Sequence, residues 1–347
     1  MAIRGCWSFD DTQVLADRGL SGSAVIATTQ PRTGAQSLKL QGGGTPNRAI
    51  FPTFGGYAVG ATIGFAFGYR PSWPISAPSN TPAGAWTYHI VSFWGEGIQH
   101  CSIGLDADGK VQAVVAAGTQ TGASVTPCAY EVYAHWEVKY VCHDSAGSIV
   151  VKINGVEYMN VSGIDTRTGG AGTLDAIQIG SQQGSNSYFA YADDCVLWDT
   201  SGSDVTDFIG DMAVLYRKAS GAGNYAAWTP SAGSNYQNVD DLGTPDEDTT
   251  YNSSSTASQK DSFAIDDIAA GTVIAVQSVI RARKDDAGSR SVRPLFRIGG
   301  SDYVGATVSL SDGYVTSTEV FHNDPSDTND WTSGDVNGAE HGYELVA

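Results

Sequence analysis

The sequence lacks most of the patterns by which enzymes and membrane proteins are recognised. Its 347 residues contain no nucleophile elbow, no paired-histidine zinc motif and no phosphate-binding loop. No apolar run is long enough to cross a bilayer as a helix. No apolar signal region follows Met1, so we expect synthesis in the cytoplasm without Sec-dependent export. These absences favour a non-enzymatic protein that does not insert into membranes.

Charge is scarce and mostly of one sign. Only 16% of the residues are charged, which is low for a helical protein with solvated faces. The formal net charge of -18 argues against a nucleic-acid partner, and it favours solubility or cation binding. No stretch keeps a helical period over several turns, whereas alternating runs between glycine-rich turns are common. The sequence therefore predicts an all-β protein.

Cysteine is sparse and confined to the first 200 residues of the chain. The five cysteines are Cys6, Cys101, Cys128, Cys142 and Cys195. An odd number leaves at least one unpaired, and the absence of a C-x-x-C motif disfavours a zinc ribbon. We interpret them as buried thiols in a β-sandwich core. A disulfide that forms after release from the cell stays open.

Four consecutive strand patterns occupy residues 136–199. Trp136–Cys142 alternates apolar and polar residues, and Ser148–Ile153 ends in Asn154-Gly155, the strongest short-range hairpin signal. Ala176–Gly180 reads as a further strand. Tyr191–Asp199 closes the stretch and contains paired acids before apolar residues.

In this order the elements resemble the laminin-G-like branch of the concanavalin A-like jelly rolls. Gly5–Asp11 and Arg32–Leu40 look like the opening strands of that family, so the resemblance covers residues 1–200. It implies a β-sandwich of jelly-roll type. Retaining glycan hydrolases of this fold carry Glu-x-Asp-x-x-Glu on one strand, and this sequence has no such stretch. Asp193 and Asp194 are adjacent, so we expect them to point to opposite faces of their strand.

The jelly-roll resemblance also suggests a metal site. Asp10 and Asp11 end the first strand, and Asp193 and Asp194 precede the last one. Terminal strands are neighbours in related jelly rolls, and such acids often hold a structural Ca²⁺ ion, which needs six to eight oxygen ligands. The alternative is that these acids cap turns or are simply exposed.

A proline-rich stretch is the candidate ligand-binding loop. Residues 71–86 contain four prolines, which exclude a strand, and they carry Trp73 and Trp86. Exposed loops at one end of a sandwich commonly hold binding residues, so both tryptophans are candidate glycan contacts. Alternatively, the two rings pack back on the sheet.

The second half resembles a module of virion proteins from tailed bacteriophages and prophages. The motifs occur in the same order over residues 205–347: Phe208–Met212, Trp228–Gly233, Asp248–Tyr251, Ser253–Thr256, Arg283–Gly288, Trp331 and Asn337–Glu340. A polar joint at residues 199–211 separates the predicted domains, 1–200 and 205–347. We predict a second β-sandwich there, with a short helix over 335–340 capped by Thr332.

A basic hairpin is the candidate partner interface. Residues 273–283 and 291–298 read as strands joined by a turn, with Arg281 and Arg283 on one and Arg293 and Arg297 on the other. Pairing these strands would bring like charges together, which is destabilising unless an acidic surface docks there. The alternative is a solvated face with intrachain partners such as Asp261, Asp266 or Asp267.

Together these observations predict a non-enzymatic structural and adhesion protein on the exterior of a tailed-phage particle. Its place could be capsid decoration, tail fibre or baseplate. The expected partners are other virion proteins and further copies of this chain, and the expected ligand is a host-surface glycan. Two alternatives stay open, a glycan depolymerase of the virion and a cellular carbohydrate-binding module.

Overall fold

The computed structural model divides into two compact units, Met1–Leu215 and Tyr216–Ala347. It describes residues 2–10, 20–21, 24–41, 47–72, 88–106, 109–125, 129, 131–170, 173–181, 189–202, 205, 207–241 and 245–346. The first unit ends at residue 215, after the polar joint predicted at residues 199–211, and residues in the segment 207–214 bond to it. No helix in the described part of the chain has the length and apolar character needed to span a membrane.

Strands account for most of the first unit. Their bounds are β1 (Ala2–Trp7), β2 (Leu20–Ser21), β3 (Val25–Ala27), β4 (Ser37–Gln41), β5 (Asn47–Ala58), β6 (Thr62–Pro71), β7 (Tyr88–Gly95), β8 (Ile98–Leu105), β9 (Lys110–Val115), β10 (Gly118–Val125), β11 (Ala134–Val141), β12 (Gly147–Ile153), β13 (Val156–Ile164), β14 (Thr173–Ser181) and β15 (Phe189–Asp199).

These strands form two antiparallel sheets. The first sheet has the order β13-β12-β11-β6-β15-β4-β3, and β1 pairs with β15. The second sheet has the order β10-β9-β8-β7-β14-β5-β2. The first and last strands of the unit are therefore neighbours, as the jelly-roll resemblance implies. The predicted all-β fold class is confirmed, because 56% of the structure is strand and only 4% is helical.

Aromatic side chains fill the space between the two sheets. Phe65 of the first sheet lies 5.2 Å, between ring centroids, from Phe51 of the second. Tyr140 of the first sheet stacks on Phe93 of the second at 4.6 Å. All four rings are fully buried, and burial of such large apolar surfaces is the main driving force for folding. The first unit is therefore a β-sandwich whose core follows the predicted alternation.

The outer face of β6 carries three small residues in succession, Gly64, Ala66 and Gly68. A side chain on Gly64 would collide with the Trp198 ring, and one on Gly68 would collide with the Arg32 side chain. Because the sheet offers no side chains of its own at these two positions, a tryptophan and an arginine lie directly on its backbone. This arrangement brings charged groups onto the backbone of the first sheet.

The predicted hairpin at Asn154-Gly155 joins β12 to β13. Asn154 has φ of 49° and Gly155 has φ of 78°, both in the left-handed region. Asparagine tolerates this region and glycine adopts it freely, which is why the pair marks the turn in the sequence. The hairpin then fixes the register in which Ile153 pairs with Val156.

The second unit contains shorter elements. They are β16 (Ala219–Ala226), β17 (Thr229–Pro230), a 3-10 helix (Asn235–Asn238), β18 (Asn252–Ser253), β19 (Lys260–Ile265), β20 (Val276–Ala282), β21 (Ser291–Ile298), β22 (Ser301–Val304), β23 (Val308–Ser309), β24 (Val315–Phe321), α1 (Ser333–Gly338) and β25 (Glu340–Leu345). Helix α1 begins earlier than predicted, but Thr332 caps it as expected, accepting the N–H of Asp335.

The second unit is a smaller sandwich with unequal layers. One layer is a sheet in the order β16-β19-β25-β21-β22, with β23 paired to β21. The other layer is the two-stranded ribbon β20–β24, which is accompanied by α1. They meet around the buried side chains of Phe296, Trp331 and Val336, against which Val276 and Phe321 of the ribbon pack.

Candidate functional site

The paired acids of β15 lie in a β-bulge. The register against β6 shifts between Asp193 and Val196, and Asp194 has φ of 51°. A bulge lets successive side chains point the same way, which a regular strand forbids. The prediction that Asp193 and Asp194 point to opposite faces is therefore wrong.

Both acids bind the same loop before β4. Asp193 Oδ2 accepts the backbone N–H of Arg32 at 2.7 Å and that of Thr33 at 3.3 Å. Asp194 Oδ1 accepts the Thr33 hydroxyl at 2.5 Å, and Asp194 Oδ2 pairs with Arg32 Nη1 at 2.6 Å. Burial, and then the neighbouring Asp194 charge, raise the pKa of Asp193 to about 7. The two carboxylates thus fix the loop against the first sheet.

The predicted calcium ligands stay a prediction. Asp10 Oδ1 accepts the backbone N–H groups of Ala35 and Gln36 at 2.8 and 2.9 Å, while Asp11 lies outside the described residues. Within the described ranges no group of three or more His, Cys, Asp or Glu residues is placed to hold a metal ion. The described acids instead accept hydrogen bonds from backbone N–H groups. This agrees with the alternative that they cap turns.

Residues 207–214, here called the strap, lie on the outer face of the first sheet. Phe208 contacts the Trp198 ring edge-to-face at 6.2 Å between centroids. The ammonium groups of Lys139 and Lys152 lie 4.7 and 4.0 Å from the centroid of the Phe208 ring, within the range of cation–π attraction. An aromatic side chain therefore holds the first half of the strap on the sheet.

Backbone groups hold the second half of the strap. The Gly210 N–H donates to Glu137 at 3.0 Å, and the Val214 N–H donates to Asp194 at 2.8 Å. Buried carboxylates need such donors, because an unpaired buried charge is strongly destabilising. The strap is thus part of the first unit, although the sequence predicts a polar joint there.

A buried histidine lies beneath the strap. His135 Nε2 is 3.9 Å from Glu137 Oε2, and His135 Nδ1 is 3.7 Å from Asp211 Oδ1. Neither ring nitrogen has a hydrogen-bond partner in the described part of the chain. Burial lowers the pKa of His135 to about 4 and raises the pKa of Glu137. Perturbed pairs of this kind mark many active sites, but both of these side chains are only 1% exposed. They therefore cannot meet a substrate while the strap is in place.

The outer face of the second sheet has a different character. Trp94 is half-buried there, and its Nε1–H donates to the Ser92 hydroxyl at 2.8 Å. The Arg48 guanidinium lies 5.8 Å from the centroid of that ring, and Arg48 Nη1 donates to Gln178 Oε1 at 3.1 Å. A fixed aromatic ring beside amide and guanidinium groups can pack on the apolar face of a sugar and bond to its hydroxyls. The tryptophans predicted for this role, Trp73 and Trp86, lie outside the described residues.

The prediction that the two arginine-bearing strands pair with each other as a hairpin is wrong. Strand β20 pairs with β24, and β21 pairs with β22, β23 and β25, so the two arginine-bearing strands are not partners. Each arginine pairs with a carboxylate of the same unit: Arg281 with Glu247, Arg283 with Asp248, Arg293 with Glu344 and Arg297 with Asp302. The alternative, that these arginines have carboxylate partners within the chain, is correct in kind. The partners are not the acids that were suggested, Asp261, Asp266 and Asp267. The interface itself stays a prediction.

The cysteines in the described ranges form no disulfide. Cys101, Cys142 and Cys195 are buried and Cys6 is half-buried, while Cys128 lies outside the described residues. Burial raises the pKa of Cys6 to about 12 and that of Cys195 well above its usual value. Such thiols stay protonated and unreactive at neutral pH.

Comparison with known proteins gives similarity of fold at low identity. No protein-family model and no curated protein matches the sequence. The endo-β-1,4-glucuronan lyase from the fungus Trichoderma reesei is 10% identical, with a TM-score of 0.43 over 57% of this chain and 96% of that one. Domain 4 of the extracellular arabinanase AbnA from Geobacillus stearothermophilus, solved with arabinotriose, is 15% identical, with a TM-score of 0.37 over 57% and 92%. The cellulose-induced protein Cip1 is 16% identical, with a TM-score of 0.38 over 54% and 89%.

Proposed function

We propose that the first unit is a glycan-binding module whose sugar site is the outer face of the second sheet. The observation that carries the proposal is the grouping of Trp94, Arg48 and Gln178 on that face. An indole ring supplies a flat apolar surface, and the guanidinium and amide groups supply hydrogen bonds that orient hydroxyls. An aromatic surface flanked by a few fixed polar groups that set ligand orientation is common in small-ligand recognition.

Binding of purified protein to a panel of bacterial surface polysaccharides tests the proposal. We expect Trp94→Ala to weaken binding roughly tenfold, because the ring supplies most of the apolar contact. Trp228→Ala is the control, since Trp228 is a half-buried tryptophan of the second unit whose Nε1–H donates to the Gln259 carbonyl. Equal binding by the two variants, or no binding by the wild type, would contradict the proposal.

The predicted loop tryptophans form a separate arm of this experiment. Trp73→Ala and Trp86→Ala are measured on the same panel. Weakening by these variants alone would move the sugar site from the sheet face to residues 71–86. Weakening by all three would make the loop and the face one site.

The proposed setting is the exterior of a tailed-phage particle, with other virion proteins and copies of this chain as partners. Its support is the order of short motifs over residues 205–347. Negative-stain images of particles labelled with antibody against this chain test it directly. Label on the capsid, tail fibre or baseplate would identify the position, and unlabelled particles would contradict the setting.

A glycan depolymerase is the rival function for the same module. Release of reducing ends, or of unsaturated uronate ends, from a polysaccharide that the protein binds would identify it as an enzyme. Our proposal expects binding without release.

A further inference from the structure

The end of the first sheet at which β6 finishes contains a buried arginine. Arg70 is only 8% exposed and lies on the outer face, opposite Tyr191 of β15. Its guanidinium lies 5.6 Å from the centroid of the Tyr191 ring. Its Nε–H donates to the Glu131 carbonyl at 3.0 Å, in a turn where Glu131 has φ of 58°.

Within the described ranges Arg70 forms no ion pair with a carboxylate. Other arginines on or near this sheet do: Arg4 pairs with Asp199, and Arg32 pairs with Asp194. The terminal nitrogens of Arg70 make no hydrogen bond within the described part of the chain, since its contacts there are one carbonyl and one ring. Burying a guanidinium without a counter-charge is costly, so this position needs an explanation.

The nearest described acid on this face is Asp193, which lies two positions along β15 from Tyr191 and pairs in register with Gly68. Its carboxylate already accepts the backbone N–H groups of Arg32 and Thr33. Glu131 offers Arg70 its carbonyl rather than its carboxylate. Among the described residues, Arg70 therefore has no carboxylate of its own.

We infer that Arg70 is the anion-recognising residue of a second ligand site, which takes the carboxylate or sulfate group of an acidic sugar. A guanidinium whose Nε is already bonded and whose face rests on a ring keeps its two terminal nitrogens for a planar or tetrahedral oxyanion. The Tyr133 hydroxyl, which donates to the Gln30 carbonyl at 2.6 Å, ties the adjoining loop beside this position. The site lies on the other sheet from the proposed sugar face and does not depend on it.

Titration of the whole protein with sulfate, glucuronate and glucose, followed by heteronuclear NMR and calorimetry, tests the inference. We expect saturable binding of sulfate and glucuronate that weakens as salt rises, and no binding of glucose at this site. Arg70→Lys keeps the charge but loses the paired donors, so it should bind roughly tenfold more weakly. Arg4→Gln is the matched control, because that arginine already has a carboxylate partner, and it should bind as the wild type does.

Two results would overturn the inference: no saturable anion binding by the wild-type protein, or equal binding by Arg70→Lys. Sulfate binding without glucuronate binding would overturn the sugar-acid assignment. If circular dichroism shows that Arg70→Lys does not fold, Tyr191→Leu is used instead. It removes the ring that supports the guanidinium, so it should weaken the binding of both anions. Trp94→Ala should bind sulfate and glucuronate as the wild type does, even if it no longer binds the surface polysaccharides. The two proposals can therefore be contradicted independently of each other.

Discussion

The two outer faces of the first unit are built from similar strands but differ in what covers them. On the first sheet, Arg32 and Asp194 form a largely buried ion pair, and the strap donates backbone N–H groups to Asp194 and to the buried Glu137. On the second sheet, Trp94 and Arg48 are half-buried and bond to neighbouring side chains. A covering segment such as the strap therefore decides whether an outer face becomes a second core or a surface for ligands.

The difference begins with small residues in β6. Gly64 and Gly68 leave the backbone of the first sheet bare, so Trp198 and Arg32 can lie on it. Once a guanidinium is buried there, it needs carboxylate partners, since an unpaired charge in a low-dielectric site is strongly destabilising. The first face is thus stabilised by charge pairs that tolerate little change.

The largest expected effect is the loss of Asp194, the buried one of two carboxylates that pair with Arg32. Asp194→Ala leaves this largely buried guanidinium with the exposed Asp211 carboxylate and removes the acceptor for the Val214 N–H. We expect the free energy of unfolding to fall by about 3–5 kcal/mol, as for other broken buried pairs. Urea denaturation measures it, with loss of the strap contact visible as faster hydrogen exchange at Val214.

Asp144→Ala is the matched control for that variant. Asp144 pairs with Arg167 at 3.0 Å, but its side chain is 61% exposed, so the change should be at most about 1 kcal/mol. Equal losses in the two variants would mean that the first face is no more sensitive than ordinary surface.

The next effect is a dependence of stability on pH. Burial lowers the pKa of His135 to about 4 from 6.5, so the unfolded chain binds this proton first as the pH falls. Stability is therefore lost below about pH 6.5, by about 2 kcal/mol at about pH 5. His135→Gln removes this contribution, so its unfolding free energy should fall less than that of the wild type between about pH 8 and pH 5.

Asp193 should change the stability in the opposite direction from His135 as the pH falls, which makes the test more specific. Its pKa is raised to about 7 from 3.8, so the folded state binds this proton first and gains stability as the pH falls through about 7. Asp193→Asn should therefore lose more stability than the wild type over the same interval. If both variants follow the wild-type curve, neither group is as buried as the structure indicates.

A smaller effect is expected at the strap. Phe208→Ala removes a half-buried ring that contacts Trp198 and two ammonium groups. We expect a loss of about 1–1.5 kcal/mol from apolar burial and cation–π attraction. Hydrogen exchange at Gly210 should accelerate more than exchange at Trp94 on the other sheet. Uniform acceleration would show that the strap is not a separate element.

Much of the fold could be predicted from local patterns, because alternation and turn chemistry act over a few residues. The hairpin at Asn154-Gly155 needs only φ preferences, and the buried thiols need only a sandwich core. Pairing between distant strands is different, since any two amphipathic strands can pair. The ribbon β20–β24 therefore could not be predicted by joining strands that are neighbours in sequence.

The candidate sites were harder to predict, because they depend on contacts between distant positions. The bulge at Asp194 changes which way its side chain points, and no sequence motif indicates it. Arg32 and His135 gain their roles from the strap, which lies far along the chain from both. A usable signal was present in β6, where small residues alternate with large apolar ones. Such a pattern indicates that something packs on the small side.

The smallest expected effect tests whether a metal ion contributes to the first face. Asp10, Asp193 and Asp194 accept N–H or O–H donors from the loop before β4, and a calcium ion would have to displace these donors and find six to eight oxygens. We therefore expect EDTA to leave the melting temperature of the first unit unchanged, and added calcium to have no effect. A bound ion at one hundred times its dissociation constant would stabilise by about 2.7 kcal/mol, a shift that calorimetry detects easily. If chelation lowers the melting temperature and Asp11→Ala abolishes that response while keeping the fold, the predicted site exists. The first face would then be stabilised by a cation as well as by its arginine.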